Sequence, residues 1–149
     1  MKNIFNPEDY TEIIGRIEAL SPQSTRQWGT MTAPQMLVHC RKVAEAAVGE
    51  LKLRSSFLLR LFGRFIKKKM FAAPRFAKNA PTAPQYKVNV SVEDFETERR
   101  RLLEIISRFQ KGPQSIPDKK HPVFGPLTDE EWGRLHYMHL DHHLRQFSV

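Results

Sequence analysis

The C-terminal segment holds the residues that are best suited to chemistry. Four of the six histidines lie between His136 and His143. Each residue of an α-helix turns about 100° from the one before it, so His139 and His143 lie about 40° apart on neighbouring turns. Two imidazoles at this spacing can bind one metal ion together. The spacing therefore predicts a divalent-metal site on a C-terminal helix.

A third ligand is expected from elsewhere in the chain, because a catalytic metal usually has three protein ligands and one open position. His39 is the best candidate, since it falls among apolar residues of a predicted helix and a buried histidine needs a hydrogen bond or a metal. His121, on a loop beside a proline, is the rival. The alternatives are a core His39 that is only hydrogen-bonded and a C-terminal histidine run that is a solvated face.

Three neutral imidazoles would leave a bound ion with its full positive charge. Such an ion lowers the pKa of water or stabilises a thiolate, and either effect makes a nucleophile at neutral pH. His136 and Gln146 share the ligand stripe, so we expect them to assist, His136 as a proton acceptor and Gln146 by hydrogen-bonding a ligand or the substrate. His142 is the alternative proton acceptor, and a supporting or surface role is the alternative for both histidines. Cys40 is interpreted as a small core residue.

Helix signals dominate the chain that must position these residues. Two sequences have the form of a capping box, Thr32 with Gln35 and Thr128 with Glu131. Apolar residues at helical spacing predict five helices, over about residues 7–20, 33–48, 55–70, 91–110 and from 129 almost to the C-terminus. Ser91 is the expected cap of the fourth. Residues 72–86 and 111–127 are predicted loops rich in proline, and the brief alternation over residues 86–90 is also assigned to a loop.

Composition indicates one soluble domain spanning residues 1–149. The single cysteine excludes an internal disulfide, and no apolar run is long enough for a membrane span, so we expect a cytoplasmic protein. The net charge is +8. We expect the basic residues of the third helix to form a solvated face and its apolar stripe to face the core; these basic residues are Arg60, Arg64, Lys67, Lys68 and Lys69.

Three segments of the chain resemble the DinB-like superfamily of metalloproteins, in a branch without an established function. They are Trp28-Gly29 ahead of Gln35 to His39, His121 to Thr128 ahead of Glu131-Trp132-Gly133, and His139 to Phe147. The resemblance covers most of the chain from Trp28 onward. It implies an all-α, four-helix bundle, here with an additional short helix and long Pro-rich loops, and often a homodimer.

The resemblance also implies a ligand set and a range of activities. One histidine on the second helix and a pair on the last correspond to His39, His139 and His143, with zinc, nickel or a similar divalent ion as the metal. Some relatives activate a low-molecular-weight thiol, and those branches read His-Arg-Gly-Gln. This chain reads His143-Leu144-Arg145-Gln146 and keeps the glutamine.

Three functions follow as hypotheses. The first is a metal-dependent hydrolase or thiol S-transferase acting on a small molecule. The second is a non-catalytic metal-binding or structural bundle. The third and least favoured is a nucleic-acid or anionic-surface binder that uses the basic segment from Arg54 to Lys78, because no recognised nucleic-acid motif accompanies the charge.

Overall fold

The described part of the protein is mostly helical and includes a short β-hairpin. A computed structural model describes the backbone of residues 1–52, 57–79, 86–88 and 94–149, and the side chains of these residues except 57–62. The helices within this part are α1 (Pro7–Glu18), α2 (Ala33–Ala47), α3 (Phe57–Ala72), α4 (Phe95–Ser107) and α5 (Asp129–Gln146). Two 3-10 turns, Arg108–Lys111 and Pro113–Ser115, follow α4. The strands are β1 (Lys120–His121) and β2 (Gly125–Pro126).

Both predicted capping boxes are present, and they fix where the two histidine-bearing helices begin. The Thr32 hydroxyl accepts from the Gln35 amide, and the Gln35 side chain accepts from the Thr32 amide. Thr128 and Glu131 make the same reciprocal pair at the start of α5. Each box satisfies two backbone donors that a helix start would otherwise leave unpaired.

The start of α4 differs from the sequence prediction. Asp94 caps this helix, because its Oδ1 accepts from the Thr97 amide at 2.8 Å, and the first helical residue is Phe95. The expected cap, Ser91, and residues 89–90 of the alternating segment lie outside the described residues. An aspartate can cap a helix as well as a serine can, and the predicted start of the helix was therefore too early.

The loop before α5 was predicted to be irregular, and that prediction was wrong for residues 120–121 and 125–126, which form strands on either side of a turn. Lys120 pairs with Pro126 and His121 pairs with Gly125 in an antiparallel hairpin. Strands of two residues are too short to produce a readable alternation of apolar and polar side chains.

The core lies where α1, α2, α4 and α5 pack together. α2 packs against α4 and α5, and α1 packs against α5 and α4. Two ion pairs cross these contacts, Arg16–Asp141 at 2.9 Å and Arg41–Glu98 at 2.8 Å. The largest completely buried side chains come from these helices and the segments beside them: Ile4, Ile13, Ile17, Met36, Leu37, Leu102, Ile106, Phe109, Ile116 and Leu144.

The third helix does not bury the whole stripe that the sequence predicted. Phe65 is 73% exposed and Ile66 is 38% exposed. The reason is the close approach of the helix at Gly63, where a Cβ atom would lie 1.8 Å from the Val123 carbonyl oxygen. This contact turns the face with Gly63, Met70 and Phe71 inward and leaves Phe65, about 200° from Gly63, in solvent.

The predicted basic face of α3 is solvated at Arg64, Lys68 and Lys69. The side chain of Arg60 lies outside the described residues. Among the described helices, none is both long and apolar enough to cross a bilayer.

Candidate metal centre

Three histidines from two helices meet at one point. His39 comes from α2, and His139 and His143 come from successive turns of α5. Their possible ligand nitrogens all lie within 4.8 Å of one another. The ring centroids are 5.1 Å apart for His39–His139, 4.7 Å for His39–His143 and 4.8 Å for His139–His143. The three residues that the sequence predicted as ligands are therefore the ones that the fold brings together.

His39 is oriented by a main-chain carbonyl. Its Nδ1 lies 2.9 Å from the carbonyl oxygen of Tyr86. A carbonyl oxygen only accepts hydrogen bonds, so Nδ1 carries the hydrogen and Nε2 carries the free lone pair. That Nε2 faces the Nε2 of His139 at 3.0 Å. At this distance His139 can donate its Nε2–H to the lone pair of His39. Two nitrogens bound to one tetrahedral zinc ion, with bonds of about 2.0–2.1 Å, would be slightly farther apart, at about 3.3 Å.

His143 is oriented by a side chain. Its Nδ1 lies 3.0 Å from Oε1 of Gln146, which is itself buried. The amide nitrogen of Gln146 donates to the Trp28 carbonyl oxygen at 2.7 Å. The outer nitrogens of His39 and His143 are thus hydrogen-bonded, which is the usual arrangement around metal-ligating histidines.

Burial keeps the three rings neutral. Desolvation is the largest cause of a lowered pKa for each, and the neighbouring imidazoles lower the pKa of His139 and His143 further. The pKa of His143 falls to about 3, from an ordinary 6.5. Neutral imidazole is the form that binds a metal, so these rings release no proton when an ion binds at neutral pH.

His139 is the most exposed of the three histidines. His39 and His143 are buried, whereas His139 is partly exposed. Aromatic rings lie nearby, with Phe76 6.4 Å from His139 and Trp28 5.7 Å from His142 between ring centroids. The Lys78 ammonium lies 4.6 Å above the Trp28 ring. Together these residues form a mostly aromatic patch beside His139, with one lysine; we call Trp28, Phe76, Lys78 and His142 the aromatic patch.

The rival ligand, His121, has a different task. Its Nδ1 accepts from the amides of Val123 and Phe124 at 3.1 and 3.2 Å, and its ring stacks on that of Phe124. These contacts hold the β-hairpin turn. His121 is not in the group of convergent ligands found among the described residues.

His136 lies one turn before His139 within an aromatic layer. Its ring stacks on Trp132 and lies 4.7 Å from Phe109. It is 3% exposed, and its Nε2 has no hydrogen-bond partner among the described residues. Desolvation, with a smaller effect of His121, lowers its pKa to about 3. Its predicted role as a proton acceptor stays a prediction.

Cys40 is buried, and burial raises the pKa of its thiol. This burial agrees with the interpretation of Cys40 as a small core residue. Sequence reasoning missed the carbonyl oxygens of Tyr86 and Trp28, because a backbone acceptor carries no signal in residue type. For the Trp28 carbonyl, the only indication in the sequence was the pair Trp28-Gly29, because a glycine permits a close approach of the backbone.

The fold and site define a helical protein with a convergent cluster of three histidines. The chain belongs to the family described as Protein of unknown function (DUF1569), whose model matches residues 4–149. No curated protein and no solved structure matches the chain.

Proposed function

We propose that this protein binds one divalent metal ion, zinc or nickel, through His39, His139 and His143, and uses it to act on a small molecule. The reaction would be hydrolysis or transfer of a low-molecular-weight thiol. The observation that carries the proposal is the convergence of three neutral imidazoles within 4.8 Å, two of them with their outer nitrogens already hydrogen-bonded.

We further propose that α1, α2, α4 and α5 form a four-helix bundle of the DinB-like type. The packing of α2 on α4 and α5, and of α1 on α5 and α4, supports this arrangement. One ligand on the second helix and two on the last is the distribution that the resemblance implies. A homodimer stays a prediction from that resemblance.

The residues around the cluster would have different roles in the proposed reaction. The bound ion would supply Lewis acidity that favours an anionic nucleophile at neutral pH. A substrate would bind beside His139 and the aromatic patch, where Trp28 and Phe76 offer apolar contacts and Lys78 would favour a negatively charged group. Gln146 contacts His143 and the Trp28 carbonyl, so it acts through the ligand. His136 is the predicted proton acceptor.

A non-catalytic metal site is the second candidate, and the burial of His39 and His143 favours it. The two differ in whether the ion keeps an open position. Protein loaded with Co²⁺ and titrated with azide separates them, because an exogenous ligand changes the visible spectrum when it enters an open position. A changed spectrum supports the enzyme, and an unchanged one supports the structural bundle.

The activity is tested by a screen of thiol-transfer and hydrolysis substrates with metal-loaded protein, metal-free protein and His39→Ala. We expect turnover by the loaded wild type alone. Cys40→Ala is the matched control, because it removes a buried side chain at the next position of α2 that is not one of the three clustered histidines. Equal turnover by loaded and metal-free protein would show that the ion plays no part in the chemistry.

A further inference from the structure

We propose that Gln146 is a positioning residue that fixes the tautomer and orientation of His143, and that the backbone at Trp28 and Gly29 fixes Gln146 in turn. The inference rests on the proposed function, in that His143 is taken as a ligand. It adds an orienting relay from α5 to the segment that precedes α2, two parts of the chain 118 positions apart.

The direction of each hydrogen bond in the relay can be deduced by starting from the Trp28 carbonyl oxygen. The Trp28 carbonyl oxygen only accepts, so the group that faces it at 2.7 Å is the amide nitrogen of Gln146. The amide oxygen then faces Nδ1 of His143 at 3.0 Å, and Nδ1 must carry the hydrogen. The lone pair of His143 is left on Nε2, the ring nitrogen farther from the glutamine. A metal ligand needs a nitrogen with a free lone pair, and the relay provides it.

The backbone around Trp28 is shaped to hold the glutamine. The main-chain amide of Gln27 donates to the main-chain carbonyl oxygen of Gln146 at 2.7 Å, so a backbone hydrogen bond also joins the two segments. Gly29 adopts a φ of +76°, where side chains are rare. A Cβ atom there would lie 2.5 Å from the Gln146 amide nitrogen. Gly29 is therefore required both by its backbone conformation and by the space that Gln146 occupies.

The two oriented ligands differ in a way that permits a clean test. His39 donates to a main-chain carbonyl, at Tyr86, which substitution of a side chain does not remove. His143 donates to a side chain. A substitution at Gln146 therefore perturbs one ligand and leaves the hydrogen bond of the other in place.

The first experiment measures the tautomer in the metal-free protein by the ¹⁵N chemical shifts of the His143 ring. The wild type should show the Nδ1–H tautomer, and Gln146→Leu should show a mixture or the opposite tautomer. In its protonated form, which the facing Trp28 carbonyl oxygen favours, the side chain in Gln146→Glu can still donate to that oxygen and accept from Nδ1–H, so this variant should restore the wild-type pattern. A merely structural glutamine would make the two variants alike. An Nδ1–H tautomer that persists in Gln146→Leu would overturn the proposal.

The control for stability is Gln110→Leu, which removes another amide that donates to a backbone carbonyl, at Ile4, away from the cluster. Its unfolding temperature should fall less than that of Gln146→Leu, because Gln110 is exposed, and the His143 tautomer should be unchanged. If Gln146→Leu does not fold, the same tautomer measurement is made on Gly29→Ala. It leaves Gln146 in the sequence and should displace it, with loss of the Nδ1–H pattern.

The second experiment measures affinity for Zn²⁺ and the visible spectrum with Co²⁺. Gln146→Leu should bind about 10- to 100-fold more weakly and shift the Co²⁺ spectrum, and Gln146→Glu should stay near wild type. Unchanged affinity and spectrum in Gln146→Leu, with a wild type that binds, would overturn the positioning role alone. A wild type that binds no metal but shows the predicted tautomers would contradict the proposed function and support the relay.

Discussion

Buried neutral histidines couple the stability of this protein to pH. His136 shows this most clearly, because its pKa lies at about 3 in the folded chain against an ordinary 6.5. Above pH 6.5 the ring is neutral in both states and the folded state keeps its full stability. As the pH falls through 6.5, the unfolded chain binds a proton that the folded chain does not bind, and stability is lost progressively toward pH 3.

The first residue-scale prediction is that His136→Phe reduces this acid sensitivity. Between pH 7 and 5 the wild type should lose about 2 kcal/mol of unfolding free energy through this residue, a loss that the variant avoids. Denaturant unfolding of the metal-free proteins at both pH values measures it. Cys40→Ala keeps His136, so its loss of unfolding free energy between the two pH values should match that of the wild type. Parallel losses in wild type and His136→Phe would show that His136 is protonated in the folded state.

At the scale of elements, one lysine adds polar contacts to the packing that holds α3 on the rest of the protein. The Lys67 ammonium donates to the Pro126 carbonyl oxygen at 3.0 Å and pairs with Glu131 at 2.7 Å. It therefore joins α3 to β2 and to the first turn of α5. The next residue, Lys68, is exposed.

This difference predicts unequal effects for adjacent lysines. Lys67→Met should lower the unfolding free energy by about 0.5–1 kcal/mol, and less at high salt, since the pair is partly exposed. Lys68→Met should change it by less than about 0.5 kcal/mol. Urea unfolding at two salt concentrations makes the comparison. Equal effects would mean that α3 does not depend on the Lys67 contacts.

The elements also show what sequence can and cannot predict. Thr32 and Thr128 could be recognised as caps because a capping box is a local pattern, and the His139/His143 pair because helical periodicity is local too. The inward face of α3 could not be predicted, since it depends on the contact between Gly63 and the Val123 carbonyl. The roles of Tyr86 and Trp28 were hidden for the same reason, because tertiary packing decides which carbonyl meets which imidazole.

At the scale of the whole molecule, the cluster links two helices that are far apart in sequence. His39 and His139 are separated by 100 positions, and their Nε2 atoms are 3.0 Å apart. In the metal-free protein a neutral His139 can donate its Nε2–H to the lone pair of His39 across this distance, and a bound ion would replace that hydrogen bond with a bond to each nitrogen. An ion bound only by the folded state would also stabilise the packing of α2 on α5.

The most direct test of the central claim is the metal content of the protein, purified without a tag and measured by elemental analysis. The wild type should contain close to one divalent ion per chain, and the double variant with His139→Ala and His143→Ala should contain none. A control that replaces His121 and His142 with alanine removes the same number of histidines and should keep the ion. Metal retained in the first double variant, or absent from the wild type after purification and incubation with Zn²⁺ or Ni²⁺, would contradict the account.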